Sequence, residues 1–121
     1  MISKSTKKDN FWKKLSLEKR PFFCLAPMAD VTDYPFRSVI AKYGKPDVLW
    51  TEMVSSDGLL HKAAQSKLLP ILKFSEKEKP IVAQVFGSNP DNFYKTAKII
   101  NKLGFDGIDI NMGCPDRNIN K

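Results

Sequence analysis

The sequence predicts an α/β protein whose four parallel strands and about three helices form the N-terminal half of a TIM (β/α)8 barrel. Strand-like and helix-like segments alternate along the chain, which indicates a parallel sheet with crossover helices. Each strand-like segment ends in polar or conformationally special residues, as barrel strands do where they build a site. The 121 residues suit one domain but are roughly half of the ~250 of a complete barrel, so we expect a truncated barrel.

The first strand is followed by a helix. The apolar run of residues 22–26 predicts the strand, which Pro27 and a polar stretch end. Four apolar residues then recur at the spacing of one helix face: Phe36, Val39, Ile40 and Tyr43. Thr32 or Asp33 can cap this helix, and Gly44 ends it.

The second repeat is less regular. Residues 48–50 predict a strand, and a second helix is expected over residues 59–67. Residues 68–74 contain Pro70, whose missing N–H argues for extended or irregular backbone rather than a central strand. Residues 75–79 are predicted to form a charged turn on the surface.

The third repeat is the clearest. Residues 81–86 predict a buried strand, and Asn89 and Pro90 begin a helix that ends at Gly104. The residues expected on its buried face are Phe93, Thr96, Ala97, Ile100 and Leu103. Residues 108–112 predict the fourth strand. An open doubly wound sheet would also fit this order, but no Gly-x-Gly-x-x-Gly follows the first strand, so the barrel is favoured.

Charge divides the chain into two parts. Residues 1–20 carry seven basic and two acidic residues, a net +5 of the +7 of the whole chain. We interpret residues 1–20 as a basic arm and residues 21–121 as the partial barrel domain. Such an arm can contact nucleic-acid phosphates, or it can be a solvated leader in which Phe11, Trp12 and Leu15 pack against the body.

Composition excludes several classes of protein. The chain is 42% hydrophobic and 27% charged, which is typical of a folded globular domain. No apolar run approaches the ~20 residues that span a bilayer, and the N-terminus lacks the apolar stretch of a secretory signal. Cys24 and Cys114 do not have the spacing of a metal site. We expect free thiols in the cytoplasm, no membrane association and no metal.

The predicted fourth strand runs into a polar, reactive tip. Isoleucines alternate with Asp109 and Asn111 along it, as a half-buried strand requires. The strand stops at Gly113, and the thiol of Cys114 is held by Pro115. Amide groups next to a thiol suit a planar, hydrogen-bonding substrate that must receive a proton.

Four segments together resemble the tRNA-dihydrouridine synthase family, and their order and spacing match it over residues 22–117. They are Ala26-Pro-Met-Ala-Asp-Val-Thr-Asp33, Thr51-Glu-Met-Val-Ser55, Gln84-Val-Phe-Gly87 and Asn111-Met-Gly-Cys-Pro115. The resemblance implies an FMN-binding barrel, followed by a helical domain, that uses NADPH to reduce the C5–C6 double bond of specific uridines in tRNA. It also implies that the rest of the barrel and the helical domain lie beyond this chain, which alone is expected to be inactive.

The resemblance also implies roles for single residues. Cys114 matches the family's general acid, although a buried loop cysteine is the alternative. Asn111 matches the residue that holds the substrate base, although it could also cap the loop backbone. Gln84 matches the glutamine that pairs with the flavin N3–H, or it is a satisfied core amide. Ala26, Pro27 and Met28 match the segment that contacts the isoalloxazine ring, although packing in the core is the alternative for Met28.

Other polar residues are expected to have structural roles. Cys24 is predicted to lie in the core, and His61 on the surface of a helix. Glu52 and Asp109 are expected to orient backbone and neighbouring side chains rather than to act as an acid–base pair.

Two other functions remain open at this stage. One is a flavin barrel that acts on a free pyrimidine, similar to dihydroorotate dehydrogenases. The other is a non-catalytic half barrel that binds RNA or self-associates. The oligomeric state and the modified uridine are not indicated by the sequence.

Overall fold

The computed structural model of the protein describes residues 10–114, which form four strands, five α-helices and two short 3-10 helices. In chain order the elements are α1 (Phe11–Leu17), β1 (Cys24–Leu25), α2 (Tyr34–Tyr43), β2 (Val48–Ser55), α3 (Ser56–Leu60), α4 (Lys62–Leu68), the 3-10 helices Leu69–Leu72 and Glu76–Glu78, β3 (Ile81–Phe86), α5 (Pro90–Leu103) and β4 (Gly107–Ile110).

The sheet has the strand order of a barrel. All three neighbouring pairs are parallel, and the order is β1-β2-β3-β4. In a doubly wound sheet the order reverses and helices cover both faces. Here the order is consecutive, and α2, α3, α4 and α5 all pack against one face through the same hydrophobic core. The structure therefore confirms the first four strands of a barrel, with five α-helices instead of about three.

The two faces of the sheet have different cores. The face covered by α2 to α5 carries the larger cluster of buried residues, which are Leu49, Val54, Leu59, Leu72, Ile81, Ala83, Val85, Ile100 and Phe105. The opposite face, which corresponds to the barrel interior, carries a smaller cluster of Leu15, Val48 and Val82 with Phe11 and Trp50 against it. Alternation along each strand therefore sorts side chains between an outer wall and an inner lining.

Helix α1 lies on the inner face, although the sequence places it within the basic arm. Leu15 is 9% exposed and packs with Val48 and Val82 near the start of the strands. A Cβ on Gly107 would make an ordinary contact with Phe11, at 3.6 Å, but a tight one with the Val82 side chain, at 3.2 Å. This packing is the one expected for a leader held against the body.

Capping residues begin and end the long helices as the sequence predicts. The Asp33 side chain accepts the N–H of Phe36 at 2.8 Å and begins α2. Asn89 caps α5, which ends at Gly104 with a φ of +90°. Since L-residues with a side chain rarely adopt this φ, glycine is the suitable residue there. The strand predicted over residues 81–86 is confirmed.

The predicted second helix is wrong in detail. The structure has two helices, α3 and α4, separated at His61, whose ψ of 116° is extended. Gly58 of α3 leaves space for Leu68 of α4, because a Cβ on Gly58 would lie 2.6 Å from the Leu68 side chain. His61 is exposed, as predicted, but lies between helices. Residues Leu69–Leu72, which include Pro70, form a 3-10 helix, so this stretch is not a central strand, as predicted.

The predicted surface turn over residues 75–79 contains a buried charge. Glu78 is fully buried and pairs with the equally buried Arg37 of α2, with 2.8 Å between Nε and Oε2. Ser75 donates to the same carboxylate through its N–H and its hydroxyl. A run of charged residues predicts a surface segment only when no oppositely charged side chain pairs with it in the interior. Here Arg37 forms such a pair with Glu78.

Other predicted core residues are exposed in this structure. On α2, Phe36, Val39 and Tyr43 are exposed, and Tyr43 reaches 77%. Ile108 and Ile110 of β4 are also exposed, as is Leu103 at the end of α5. Strand β4 ends at Ile110, two residues before the predicted end. The apolar period predicts the helix and the strand, but the described residues leave these side chains exposed.

Candidate active site

Three of the predicted site residues, Gln84, Asn111 and Cys114, lie together at the carboxyl ends of β3 and β4. Gln84 and Asp109 are register partners on the neighbouring strands. Both belong to the inner face, because Ile81, Ala83 and Val85 point into the outer core. Polar side chains at the carboxyl ends of parallel strands form the site in barrel enzymes.

The Gln84 side chain is hydrogen-bonded to Asp109 of β4 and to Asn111, which directly follows β4. Its Nε2 donates to Asp109 Oδ2 at 2.6 Å, and its Oε1 accepts from Asn111 Nδ2 at 3.2 Å. Its backbone N–H donates to the Thr51 hydroxyl at 3.3 Å. The side chain is therefore held in one orientation, with its nitrogen towards Asp109 and its oxygen towards Asn111.

Asn111 caps the loop that carries Cys114. Its Oδ1 accepts the backbone N–H of Gly113 at 3.1 Å and of Cys114 at 3.0 Å. Its Nδ2 donates to Gln84 and lies 3.4 Å from Met53 Sδ. The loop-capping role that the sequence left open is therefore present in the structure.

Cys114 is half-buried and its thiol is free. The structure joins it to Asn111 through the backbone, and through Asn111 to Gln84. Pro115, which is expected from the sequence to hold the thiol, lies outside the described residues.

The loop after β1 forms the other side of this edge. Asp30 has a φ of +58°, and its N–H donates to Glu52 Oε1 at 2.7 Å. The Thr32 hydroxyl bonds both the N–H of Met28, at 3.0 Å, and its carbonyl, at 3.1 Å. Glu52 therefore orients backbone, as expected, and connects the loop to β2. The described contacts join Met28 to Gln84 only by way of β2.

An irregularity in β2 brings Met53 into the site. The register shifts between Trp50 and Met53, so that Trp50 pairs with Val82 and Met53 with Gln84. Two residues of β2 thus face one residue of β3, which is the pattern of a β-bulge. Without the bulge, strict alternation would turn Met53 to the outer face. The sequence carries no signal for this shift.

Cys24 is not a core residue, and that prediction is wrong. The thiol is exposed because β1, only two residues long, is the edge strand of the sheet. Partial burial, followed by the nearby charge of Asp47, raises the pKa of the Cys24 thiol. The thiol form is therefore favoured at neutral pH.

Two support residues were not recognised from the sequence. Thr32 is buried and holds Met28, and Arg37 donates to the Thr32 carbonyl at 2.5 Å. Thr32 lies inside the first family-like segment, which could have indicated it. Arg37 has no such signal, because Glu78, with which it forms an ion pair, lies 41 positions away in sequence.

Within residues 10–114, no group of three or more histidine, cysteine or acidic side chains could hold a metal ion. The same residues contain no helix that is long and apolar enough to cross a membrane.

A flavin ring fits this edge by the chemistry of its donor set. Gln84 keeps one amide hydrogen and one carbonyl lone pair beyond its bonds to Asp109 and Asn111. Ala26 is exposed and Met28 is 39% exposed, which leaves apolar surface for the face of a planar ring. The residues present could therefore hold the edge and one face of such a ring.

Comparison with known proteins identifies matching families and relatives. The family model described as dihydrouridine synthase matches residues 24–121. The chain is 47% identical over 111 residues to the probable tRNA-dihydrouridine synthase 2 of Bacillus subtilis (strain 168), covering 92% of this chain and 33% of that protein.

Staphylococcal relatives give a similar result. A probable tRNA-dihydrouridine synthase of Staphylococcus aureus (strain COL) is 45% identical over 114 residues, and one of Staphylococcus epidermidis (strain RP62A) is 42% identical. Each match covers 94% of this chain and 34% of the relative. The chain thus spans about a third of the length of the curated relatives it matches.

Proposed function

Because the chain belongs to the dihydrouridine synthase family, we propose that it supplies the first half of an FMN-binding barrel that reduces uridines in tRNA to dihydrouridine. The single observation that carries the proposal is the hydrogen-bonded series Gln84–Asn111–Cys114. It combines an amide that can pair with a flavin edge and a thiol that can donate a proton. Such a pair of groups suits reduction of a polarised C=C bond.

Gln84, Ala26, Pro27 and Met28 are the proposed flavin-binding residues. The Gln84 amide would pair with the N3–H and a carbonyl of the ring through its remaining lone pair and hydrogen. The segment from Ala26 to Met28 would contact the ring face. When bound, FMN supplies the hydride that reaches C6 of the uracil.

Cys114 is the proposed general acid. Addition of hydride at C6 leaves negative charge at C5 and on the C4 carbonyl, so C5 must be protonated. A cysteine thiol is ordinarily still protonated at neutral pH and can supply that proton. The Asn111 cap holds the backbone of Cys114, which limits where the thiol can lie.

Asn111 is the proposed substrate-binding residue. Its Oδ1 is occupied by two backbone N–H groups, so the available group is the Nδ2 hydrogen near Met53 Sδ. Thioether sulfur is a weak acceptor, and a uracil carbonyl is a stronger one. Asn111 Nδ2 could therefore donate to a uracil carbonyl in place of Met53 Sδ. The hydrogen bonds from the loop backbone to Asn111 Oδ1 would stay intact.

The substrate is proposed to be tRNA, with NADPH as the reductant, in the cytoplasm. A stacked, paired uracil cannot present both faces of C5–C6 to a flavin and an acid, so the base would be extruded. Phosphate contacts would come partly from the basic residues 1–20. Lys13, on α1, is exposed and could take part.

The test uses a chimera in which this chain replaces the matching third of the Bacillus subtilis relative. Dihydrouridine in tRNA is measured after incubation with FMN and NADPH. We expect Cys114→Ala to slow dihydrouridine formation by about 10²–10⁴-fold, since that is the usual contribution of a positioned acid. Flavin reduction by NADPH should stay near its original rate.

The matched control is Cys24→Ala, which removes the other, exposed thiol. Normal dihydrouridine formation by the Cys114 variant would show that another group is the acid. Activity of the parent chimera on free pyrimidines, with none on tRNA, would favour the dihydroorotate dehydrogenase-like alternative.

A further inference from the structure

We propose that Asp109 is a positioning residue that sets the orientation of Gln84 and Asn111 and, through them, the backbone at Cys114. The four residues form one continuous series of hydrogen bonds across β3, β4 and the following loop. Asp109 Oδ2 accepts from Gln84, Gln84 Oε1 accepts from Asn111, and Asn111 Oδ1 accepts from the N–H of Cys114.

The direction of this series is determined at its two ends. An ionised carboxylate can only accept hydrogen bonds, and a backbone N–H can only donate. Asp109 therefore requires the nitrogen of Gln84, which leaves the oxygen of Gln84 for Asn111. Asn111 must then present its nitrogen to Gln84 and its oxygen to the loop. A flipped amide at either position would place two donors or two acceptors face to face.

Geometry keeps the series aligned. Gln84 and Asp109 are register partners on adjacent parallel strands, and the 2.6 Å bond between them is short, as expected when the acceptor is charged. Asn111 is also held through its backbone, whose N–H donates to the Val85 carbonyl at 2.8 Å. The strands therefore hold the side chains while the carboxylate selects the orientation of the amides.

The consequence concerns what Gln84 offers to a ligand. Its remaining hydrogen lies on the nitrogen that faces Asp109, and its remaining lone pair on the oxygen that faces Asn111. Asp109 would thus determine the order of donor and acceptor presented at this edge. The effect of Asp109 on ligand binding and catalysis rests on the proposed function, whereas its effect on the orientation of the amides does not.

Three substitutions separate this role from packing and from charge alone. Asp109→Ala removes the acceptor. Asp109→Leu removes it but keeps a similar volume. Asp109→Asn keeps an oxygen for Gln84 Nε2 but removes the charge. If Asp109 orients the amides as a hydrogen-bond acceptor, Asp109→Asn should keep the amide orientations of the parent. Asp109→Ala and Asp109→Leu should lose them.

The first measurement needs no cofactor. In ¹⁵N–¹H spectra of the chain, Asp109→Ala and Asp109→Leu should shift the side-chain amide signals of Gln84 and Asn111 and the backbone amide of Cys114. Hydrogen exchange at the Cys114 amide should become about fivefold faster, as expected for one weakened hydrogen bond. Alkylation of Cys114 should change, while that of Cys24 serves as an internal reference in the same sample.

The control variant is Asp91→Asn, an exposed carboxylate in the first turn of α5, which should leave these signals in place. If Asp109→Leu gives the same amide signals as the parent, Asp109 acts through packing, and the proposal is overturned. If the amide signals of Asp109→Asn differ from those of the parent, Asp109 acts through its charge alone, and the proposal is likewise overturned. Unchanged Asn111 and Cys114 signals in the alanine variant would show that no orientation passes along the series.

The second measurement uses the chimera. Asp109→Ala should lower dihydrouridine formation severalfold, and Asp109→Asn should restore most of it. If the parent chimera has no activity while the spectra behave as described, the proposed function fails and the positioning role stands. If the spectra are unaffected in an active chimera, the positioning role fails alone.

Discussion

Among single residues, Arg37 and Glu78 form the most unusual contact. Both side chains are fully buried, and the guanidinium also donates to the carbonyls of Thr32 at 2.5 Å and Lys73 at 2.6 Å. Through Thr32, the ion pair supports the loop that holds Met28. A buried pair of this kind is costly to break, because removal of one partner leaves the other charged and desolvated.

We expect Glu78→Ala to lower the free energy of unfolding by about 3–5 kcal/mol, the usual cost of breaking a buried ion pair. Urea unfolding followed by circular dichroism would measure it. The matched control is Glu76→Ala, two residues earlier, whose pair with Lys79 is exposed and should contribute only about 0–1 kcal/mol. Equal effects of the two substitutions would contradict the burial of Glu78.

Asp47 is a carboxylate whose pKa is lowered by its hydrogen bonds. Its oxygens accept from the Arg20 guanidinium at 2.6 and 3.2 Å and from the N–H of Phe23 at 2.8 Å. These bonds, that of Arg20 first, lower the pKa of Asp47 to about 2. Because the folded pKa lies below the unfolded value of ~3.9, the stabilisation is present above that value and is lost as the pH falls towards 2.

Asp47→Asn should therefore remove part of the pH dependence of stability between about pH 4 and 2. Unfolding midpoints in urea, compared at several pH values for the parent and the variant, would show curves that converge at low pH. Curves that remain parallel over this range would mean that the carboxylate is not protonated differently in the folded state.

Among the elements, α1 is the one whose position changes the interpretation of the chain. It belongs to the predicted basic arm, yet its apolar side is in contact with the inner face of the sheet. Trp12 lies between Phe22 and Trp50, with ring centroids 5.9 Å from each. The start of the strands is therefore covered on the side opposite the crossover helices.

Leu15→Ala should lower the free energy of unfolding by about 2 kcal/mol or more, because a leucine in a packed cluster loses both burial and contacts. Leu17→Ala, on the same helix but 70% exposed, is the control and should have little effect. Thermal or urea unfolding distinguishes the two. If Leu15→Ala leaves the free energy of unfolding unchanged, α1 does not stay packed on the sheet in solution.

At the scale of the whole molecule, the residues proposed to contact a cofactor lie on or next to the four strands. The proposed contacts concern the edge and face of a ring, whereas barrel enzymes commonly bind phosphate at the loops after strands seven and eight. The chain covers about a third of each relative described above.

We therefore expect the 121-residue chain to bind FMN weakly, with a dissociation constant above about 1 µM, because the phosphate contributes much of the affinity through backbone N–H groups. Fluorescence titration would measure it, and the chimera, which has the full length of the relative, should bind more tightly. Submicromolar binding by the chain alone would show that four strands suffice.

Local patterns in the sequence predicted most of the elements. The apolar run of β3, the caps at Asp33 and Asn89, and the ending glycine at Gly104 lie where expected, because each depends on a few adjacent residues. The four family-like segments also indicated the residues of the candidate site, whose roles stay predictions. Each of these correct element predictions and each family-like segment depends on a stretch of no more than about ten residues.

The contacts between distant segments were decided by the tertiary structure alone. Arg37 meets Glu78 across 41 positions, and Gln84 meets Asp109 across 25. Such meetings depend on strand register and on the bulge in β2, and a shift by one residue would turn each side chain to the other face. The sequence by itself thus determined which residues could react, and the register of the sheet decided which of them touch.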